Sequence, residues 1–190
     1  MIKFAITVET ERLIVRPLQE HDYIAWLSGF NNRLSSQHRH DKGKIDMSDC
    51  TEEWFATLVK KHQTLAIDDA AHIFGVFLKE NGAHVGMIDF STLIRDDFQW
   101  CRMGYTIHNQ YWRKGYGKEA VKAAIHIAFH NLNFHRIEAH INTDNDASIH
   151  LAKSVGMEFE GVRKGFIFEF GEWTDHLVYY VNNEEIKLNV

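Results

Sequence analysis

The chain has 190 residues, of which 45% are hydrophobic and 25% charged, and its formal net charge is −5; this is the composition of one ordinary folded domain with no overall attraction to nucleic acid or to an anionic membrane. Its two cysteines, Cys50 and Cys101, are too few for a disulfide scaffold and suit a reducing compartment. The start is not a signal peptide, and no apolar run reaches the roughly 20 residues of a membrane span, so we expect a single domain over residues 1–190 in the cytoplasm.

The first half of the chain predicts short elements separated by polar segments. Asn81-Gly82 between two apolar runs indicates a β-hairpin, because this pair favours a tight turn. The second helix is expected to bury Trp54 and Phe55 on one side. In chain order the predicted elements are a strand at 13–15, a helix at 22–27, a polar loop at 33–46, a helix capped by Ser48 or Asp49, and strands at 73–79 and 83–90.

The second half predicts longer elements with clearer periodicity. Apolar residues between Val121 and Leu132 recur at helical spacing, and Ile137, Ala139 and Ile141 alternate with polar residues as in a strand. The predicted elements are a strand at 100–107, a helix at 118–132, a strand at 137–141, a helix at 147–155 closed by Gly156, and strands at 162–170 and 174–181. The pattern indicates an α+β fold with a strand–helix–strand unit at its centre.

The segment before the long helix carries the strongest chemical signal. A glycine-rich turn that enters a helix presents unpaired backbone amides and the positive end of the helix dipole to one point. The three cationic side chains there favour an anion such as a pyrophosphate. The dinucleotide and Walker patterns are both absent, since no third glycine follows and Glu119 stands after Gly117-Lys118. The segment reads Trp112-Arg113-Lys114-Gly115-Tyr116-Gly117-Lys118.

Several motifs, in this order, resemble the GNAT (Gcn5-related) N-acetyltransferase superfamily, and within it the RimJ/RimL-type ribosomal-protein N-terminal acetyltransferases. The resemblance implies an α+β GNAT fold, a mostly antiparallel mixed sheet that splays at two central parallel strands to admit acetyl-coenzyme A (acetyl-CoA) and is flanked by helices. The motifs are Glu11-Arg12-Leu13, Gly104-Tyr105, Tyr111 to Gly117, Glu119-Ala120, Asn145 to Ile149, Val155-Gly156-Met157 and Asp175-His176 through Tyr179.

The same resemblance implies roles for individual residues. The edge of Tyr105, Thr106 and Ile107 would bind the pantetheine arm of acetyl-CoA, and Asn145 would contact it from the other side. Ser148 would assist the leaving thiolate, since Ala152 stands where many superfamily members carry a tyrosine. The residues implied to hold the pyrophosphate are Arg113, Lys114, Gly115, Tyr116, Gly117 and Lys118.

The general base is left unassigned by the sequence. Relatives often carry a glutamate before the Gly-Tyr pair, where this chain has Met103, so Asp89 and His108 are the remaining candidates. Only about 0.04% of a lysine amine is neutral at pH 7, against about 10–15% of an α-amine, so an α-amine needs less help from a base. We therefore expect a protein or peptide N-terminus as acceptor, such as that of a basic ribosomal protein. The alternatives are a small amine (polyamine, aminoglycoside or amino acid) and a CoA-binding sensor or pseudoenzyme without strong activity.

The 13 histidines raise the question of a metal site, which the spacing does not favour. His126 and His130 have the i, i+4 spacing of zinc proteases but lack the intervening glutamate and a third ligand, so no metal is expected. His38 and His40 lie in the polar loop, as surface residues or substrate contacts. Phe166, Phe168 and Phe170 alternate on one strand, as a core face or as an edge that pairs with a second subunit. The chain is thus expected to be a monomer or a homodimer.

Overall fold

The computed structural model describes residues 4–184, which form one eight-stranded mixed sheet flanked by helices. The strand order is β1-β2-β3-β4-β5-β6-β8-β7. The strands are β1 (Val8–Glu9), β2 (Leu13–Arg16), β3 (Ala71–Leu78), β4 (His84–Ile94), β5 (Trp100–Ile107), β6 (Arg136–Asn142), β7 (Glu158–Glu169) and β8 (Glu172–Asn182). The α-helices are α1 (Tyr23–Asn31), α2 (Glu52–Ile67), α3 (Tyr116–His130) and α4 (Asp146–Ser154), and two short 3-10 helices span Glu20–Asp22 and Asn109–Tyr111.

The centre of the sheet contains its one described parallel pair, and that pair is short. Strand β5 pairs with β6 only from Trp100↔Arg136 to Arg102↔Glu138. Beyond Arg102 the two strands separate, while β5 stays paired with β4 and β6 stays paired with β8. A gap therefore opens between the carboxyl-terminal halves of β5 and β6. The two strands can run parallel because the long connection through α3 crosses one face of the sheet.

Two apolar clusters fill the faces of the sheet. The larger contains the buried stripe of α3, including Val121 and Ile127, together with Ala152 of α4. The smaller contains Trp26 of α1 and Phe55 of α2. Helices α3 and α4 thus cover one face and α1 and α2 the other, which leaves the gap accessible between the two layers. Within residues 4–184 no helix is both long and apolar enough to cross a bilayer.

The predicted helix at 22–27 ends too early, because α1 continues through Gly29 to Asn31. Glycine is required at this position for packing, because a Cβ would lie 2.7 Å from the carbonyl oxygen of His84 and 2.9 Å from Nε2 of His108.

The predicted caps of α2 are also wrong. Thr51 is the N-cap and accepts from the amide of Trp54, whose side chain is 44% exposed rather than buried.

Candidate active site

The gap between β5 and β6 leaves an unpaired strand edge on each side. On β5 the edge includes Tyr105, Thr106 and Ile107, the residues that the family resemblance implies as the binding edge for an extended arm. Free backbone groups along such an edge can bind an extended ligand as an added strand. The indole Nε1 of Trp112 donates to the carbonyl oxygen of Ile107 at 2.7 Å, so the loop that follows β5 is fixed to the end of this edge.

The loop at residues 113–118 stands at the wide end of the gap and points its amides outward. Gly115 is the N-cap of α3 with φ 81°, and Arg113 also has a positive φ, 60°. Such angles favour glycine and turn successive N–H groups toward one side. Within the part of the chain that the structure describes, none of the six amides from Arg113 to Lys118 donates a hydrogen bond. The predicted residues thus form a continuous set of free donors at a helix N-terminus.

Arg12 holds this loop in place from the far side. Its Nη1 donates to the carbonyl oxygen of Lys114 at 2.9 Å, and its Nε donates to Glu119 at 2.7 Å. Glu119 also accepts from the hydroxyl of Thr10 at 2.6 Å and from the backbone amide of Arg12. The guanidinium lies 4.7 Å from the centre of the Tyr116 ring. The bend between β1 and β2 and the first turn of α3 therefore hold the loop together, through contacts between residues about a hundred positions apart.

Helix α4 begins on the opposite side of the gap, and its first turn is capped. The Oδ1 of Asn145 accepts from the amide of Ser148 at 3.2 Å. The carbonyl oxygen of Ser148 accepts from the hydroxyl of Tyr105 at 3.2 Å, so β5 and α4 are joined across the gap. Burial raises the pKa of Tyr105 to about 12, which keeps this donor protonated. The helix position at which a tyrosine was considered is Ala152, which is fully buried, so this position supplies no phenol.

Comparisons with known proteins decide the family. A family model described as an acetyltransferase (GNAT) domain matches residues 12–158. The chain belongs to the GNAT acetyltransferase family. The [ribosomal protein uS5]-alanine N-acetyltransferase of Escherichia coli is 28% identical over 180 residues, covering 91% of this chain and 89% of that protein. A Bacillus subtilis protein named uncharacterized N-acetyltransferase YnaD is also 28% identical and covers 94% and 98% of the two chains.

Solved structures agree on the fold of this acetyltransferase. The ribosomal-protein-S5-alanine acetyltransferase from Vibrio fischeri superposes with a TM-score of 0.77 at 23% identity, covering 96% of this chain and 99% of that one. Mycobacterium smegmatis RimJ, solved in complex with CoA-disulfide, superposes with a TM-score of 0.74 at 19% identity, covering 96% and 88%. The expected splayed mixed sheet and the RimJ/RimL-like resemblance are confirmed.

The two candidate bases of the acetyltransferase lie in very different surroundings. Asp89 of β4 pairs with Gly104 of β5, and a Cβ on Gly104 would lie 2.6 Å from the Asp89 carboxylate. Glycine therefore lets this carboxylate lie directly over the central strand. Among the described residues it has no hydrogen-bond or ion-pair partner, and burial raises its pKa above the usual value for Asp.

His108 is buried among other side chains, and this position does not favour a role in proton transfer. It is 1% exposed, packs under α1 against Phe30, and shares a hydrogen bond of 3.1 Å with Nδ1 of His84. Burial lowers the pKa of His108 to about 3 and that of His84 to about 4. The pair is neutral at physiological pH and supports the packing of α1 on the sheet.

The polar loop after α1 crosses the wide end of the gap, which agrees better with the expected substrate contacts than with a plain surface loop. His38 stacks on Trp112 beyond β5, with ring centroids 5.3 Å apart. Two residues on, His40 bonds Asp144 beyond β6 at 2.8 Å. The loop is anchored by Asn109, which donates to the carbonyl oxygen of Leu34 at 2.9 Å. Its connection from the end of β5 to the end of β6 makes it one wall of the site.

The remaining predictions divide between the core and the surface. Cys101 is fully buried on β5, and burial raises the pKa of its thiol, so it is unreactive. Phe168 and Phe170 are exposed near the end of the β7–β8 hairpin, while Phe166 turns toward His140 and His176. Among residues 4–184 no group of three or more His, Cys, Asp or Glu side chains is placed to hold a metal ion.

Proposed function

We propose that this acetyltransferase transfers the acetyl group of acetyl-CoA to the N-terminal α-amine of a protein, with a ribosomal protein as the acceptor. The binding of acetyl-CoA is supported by the gap between β5 and β6, with six amides at one end that donate no hydrogen bond within residues 4–184. The acceptor class is supported by the names of the relatives, among them the Escherichia coli uS5-alanine enzyme. The absence of a glutamate at Met103 favours the less basic α-amine over lysine.

The chain's own groups supply the parts of such a reaction. The pyrophosphate of acetyl-CoA would bind the amides and cationic side chains of residues 113–118, with a charge attraction that is strongest at low salt. The arm would lie along Tyr105, Thr106 and Ile107, and its carbonyl oxygen would accept from amides of that edge. Asn145 keeps its amide nitrogen free to contact the arm while its oxygen caps α4.

In the proposed reaction the amine lone pair attacks the thioester carbonyl carbon and forms a tetrahedral intermediate. The carbon–sulfur bond then breaks, the amide product keeps the acetyl group, and the thiolate takes a proton. Ser148, in the first turn of α4, is the proposed partner of that thiolate. The free amides of the same turn and the helix dipole would also stabilise negative charge there. Most of the rate enhancement would come from positioning the two substrates.

A thiol-release assay with acetyl-CoA tests the proposal. The acceptor panel contains a basic peptide that begins with alanine, the same peptide with a blocked N-terminus, a blocked lysine peptide, spermidine and an aminoglycoside. We expect release only with the free N-terminus, and mass spectrometry of the product should place the acetyl group there. Faster release of the thiol with spermidine or the aminoglycoside would show that the acceptor is a small amine and not a protein N-terminus. Tight binding of acetyl-CoA with no release for any amine would identify a binding protein instead.

A further inference from the structure

A second titratable group lies at the gap, on the strand opposite Asp89. Strand β6 carries Glu138, His140 and Asn142 on the face away from α3, while Ala139 and Ile141 point into the core. Glu138 is the last residue of β6 that pairs with β5, and His140 is the next residue on the same face, where the gap has opened. His140 therefore lies on the wall of the gap itself.

Nε2 of His140 contacts both a carboxylate and a guanidinium. It lies 2.9 Å from Oε2 of Glu138, which is 2% exposed, and 3.2 Å from Nη1 of Arg163. Arg136 and Arg163 also donate to the Glu138 carboxylate, at 2.9 and 3.1 Å, and together with His140 they hold the pKa of Glu138 below its usual value. The carboxylate can only accept and is the nearer partner, so we assign the imidazole proton to Nε2 and the free lone pair to Nδ1.

The Nδ1 atom of His140 is left without a partner among the described residues. The side chain is 4% exposed, and Nδ1 is enclosed with no hydrogen-bond donor in reach. A buried polar atom in this condition is unfavourable, and His140 differs from the other buried histidines with such an atom in its place on β6 beside the gap. The ring of Phe166 meets the imidazole edge-on at 5.1 Å and shields it from bulk water. A carboxylate-bound imidazole with one free lone pair is the arrangement of a general base.

The charges around His140 set its protonation. Glu138 on its own strand favours the charged ring, while burial, Arg163 from β7 and Arg102 from β5 oppose it, and burial is the largest effect. The pKa of His140 is therefore below the usual value for histidine, and the ring is neutral at pH 7. The charge of Arg102 acts on Asp89 as well and favours the ionised form of that carboxyl group.

We propose that His140, positioned by Glu138, takes the proton from the attacking amine, directly or through one bridging water. The idea rests on the proposed acetyl transfer. As the amine nitrogen bonds to the thioester carbon, its proton passes to Nδ1 and the ring becomes an imidazolium, stabilised by the Glu138 carboxylate. The carbon–sulfur bond then breaks, and the ring returns its proton to solvent after the thiol leaves.

The test compares His140→Gln with the parent enzyme in the steady state, using whichever amine releases thiol. We expect kcat to fall about 100-fold, in the lower part of the range for loss of a general base, with the Kd for acetyl-CoA unchanged. In the parent, kcat at saturating amine should fall as the pH drops below the pKa of His140, because the imidazolium cannot accept a proton. His140→Gln should lose that acid limb, and imidazole should restore activity to His140→Ala.

A matched control is present in the chain. His72 is also buried, has an acidic partner in Asp69 at 3.5 Å and has an unpartnered Nδ1, but it lies on β3 away from the gap. His72→Gln should lower the melting temperature without changing the acid limb of kcat. Glu138→Gln should shift that limb to lower pH, since the imidazolium loses its charged partner.

Two results would overturn the assignment. One is an acid limb and kcat in His140→Gln equal to those of the parent. The other is loss of the limb in Asp89→Asn with its retention in His140→Gln, which would make Asp89 the base. Failure of the parent to release thiol with any amine would count against the proposed function, and that is measured before any variant is made.

Discussion

Two helices begin at the gap, and they differ in whether the backbone amides of the first turn have a hydrogen-bond acceptor. Helix α4 starts at Asn145, whose side chain accepts from the Ser148 amide. Helix α3 starts at Gly115, which has no side chain to donate or accept, and its first amides have no partner within the described residues. A helix normally closes its exposed amides with an N-cap side chain or with water. The N-terminus of α3 is therefore the one that we propose binds a ligand.

The difference also appears in what surrounds each helix start. Arg113 and Lys114 lie in the turn before α3 and Lys118 lies in its first turn; all three are exposed, and Arg12 contacts the turn from the other side. Asp144 lies before α4 and is paired with Arg39 and His40, while Asp146 is the first residue of that helix, where a negative charge interacts favourably with the dipole. Three cationic side chains thus flank the start of α3, and two carboxylates flank the start of α4. Four substitutions test whether this contrast separates ligand binding from helix stability.

The largest effect is expected from Gly115→Asp. A Cβ at this position would lie 3.2 Å from Nη2 of Arg12, so the new carboxylate would add negative charge to the loop and disturb the Arg12 contact that holds it. The affinity for acetyl-CoA should therefore fall at least 100-fold. Isothermal titration calorimetry measures this directly.

Gly156→Asp is the control for backbone strain. Gly156 has φ 92° at the end of α4, and a Cβ there meets nothing within 4 Å. Both substitutions force a non-glycine residue into the left-handed region, at about 1–2 kcal/mol each. Equal loss of affinity in the two variants would mean that backbone strain, and not the change at the proposed pyrophosphate site, explains the result.

Arg12→Ala should have the next largest effect. It removes the donor to the Lys114 carbonyl oxygen and the partner of Glu119, so the loop would be ordered only when ligand binds. We expect roughly tenfold weaker binding of acetyl-CoA, because the ordering cost then falls on the binding step. Lys79→Ala removes an exposed ion pair to Glu9 and a hydrogen bond to the carbonyl oxygen of Thr10, neither of which contacts the loop, and should leave the affinity unchanged. If both variants bind as the parent does, Arg12 does not preorganise the loop.

The sequence was sufficient for the local parts of this contrast. The strand from Trp100 to Ile107 was predicted with the observed bounds, and α3 begins two residues before its predicted start, because Gly115 at positive φ is the cap. Glycine spacing and helix periodicity are local signals, so these features could be found without a structure.

The tertiary parts needed the structure. The contact of Arg12 with Lys114 joins positions 102 apart in sequence, and nothing in either segment specifies the other. The loop at 33–46 looks like a plain polar connection, yet it contains a buried pair between Arg33 and Asp41, 3.0 Å apart. Glu138 and His140 did carry a usable signal, two polar residues on one face of a strand whose other face is apolar, but that strand's place beside the gap depends on pairing with β5.

Ser148→Ala tests the chemistry assigned to the capped helix. Only the hydroxyl is lost, since the capping bond uses the backbone amide of this residue. We expect kcat to fall about tenfold, as the thiolate would leave without a nearby proton donor, with no change in the Kd for acetyl-CoA. Single-turnover thiol release measures the chemical step. An unchanged rate would assign protonation of the thiolate to solvent.

The smallest effect on binding and the clearest effect on stability are expected from Asn145→Ala. Losing the cap of α4 should cost about 1 kcal/mol in the free energy of unfolding, as for other N-cap substitutions. Asn145→Asp keeps an oxygen acceptor and should unfold in urea as the parent does. If Asn145 only caps α4, the affinity of Asn145→Ala for acetyl-CoA should change less than threefold. A large loss of affinity with parental stability would show instead that its amide nitrogen holds the pantetheine arm, and the two helix starts would then both serve the ligand.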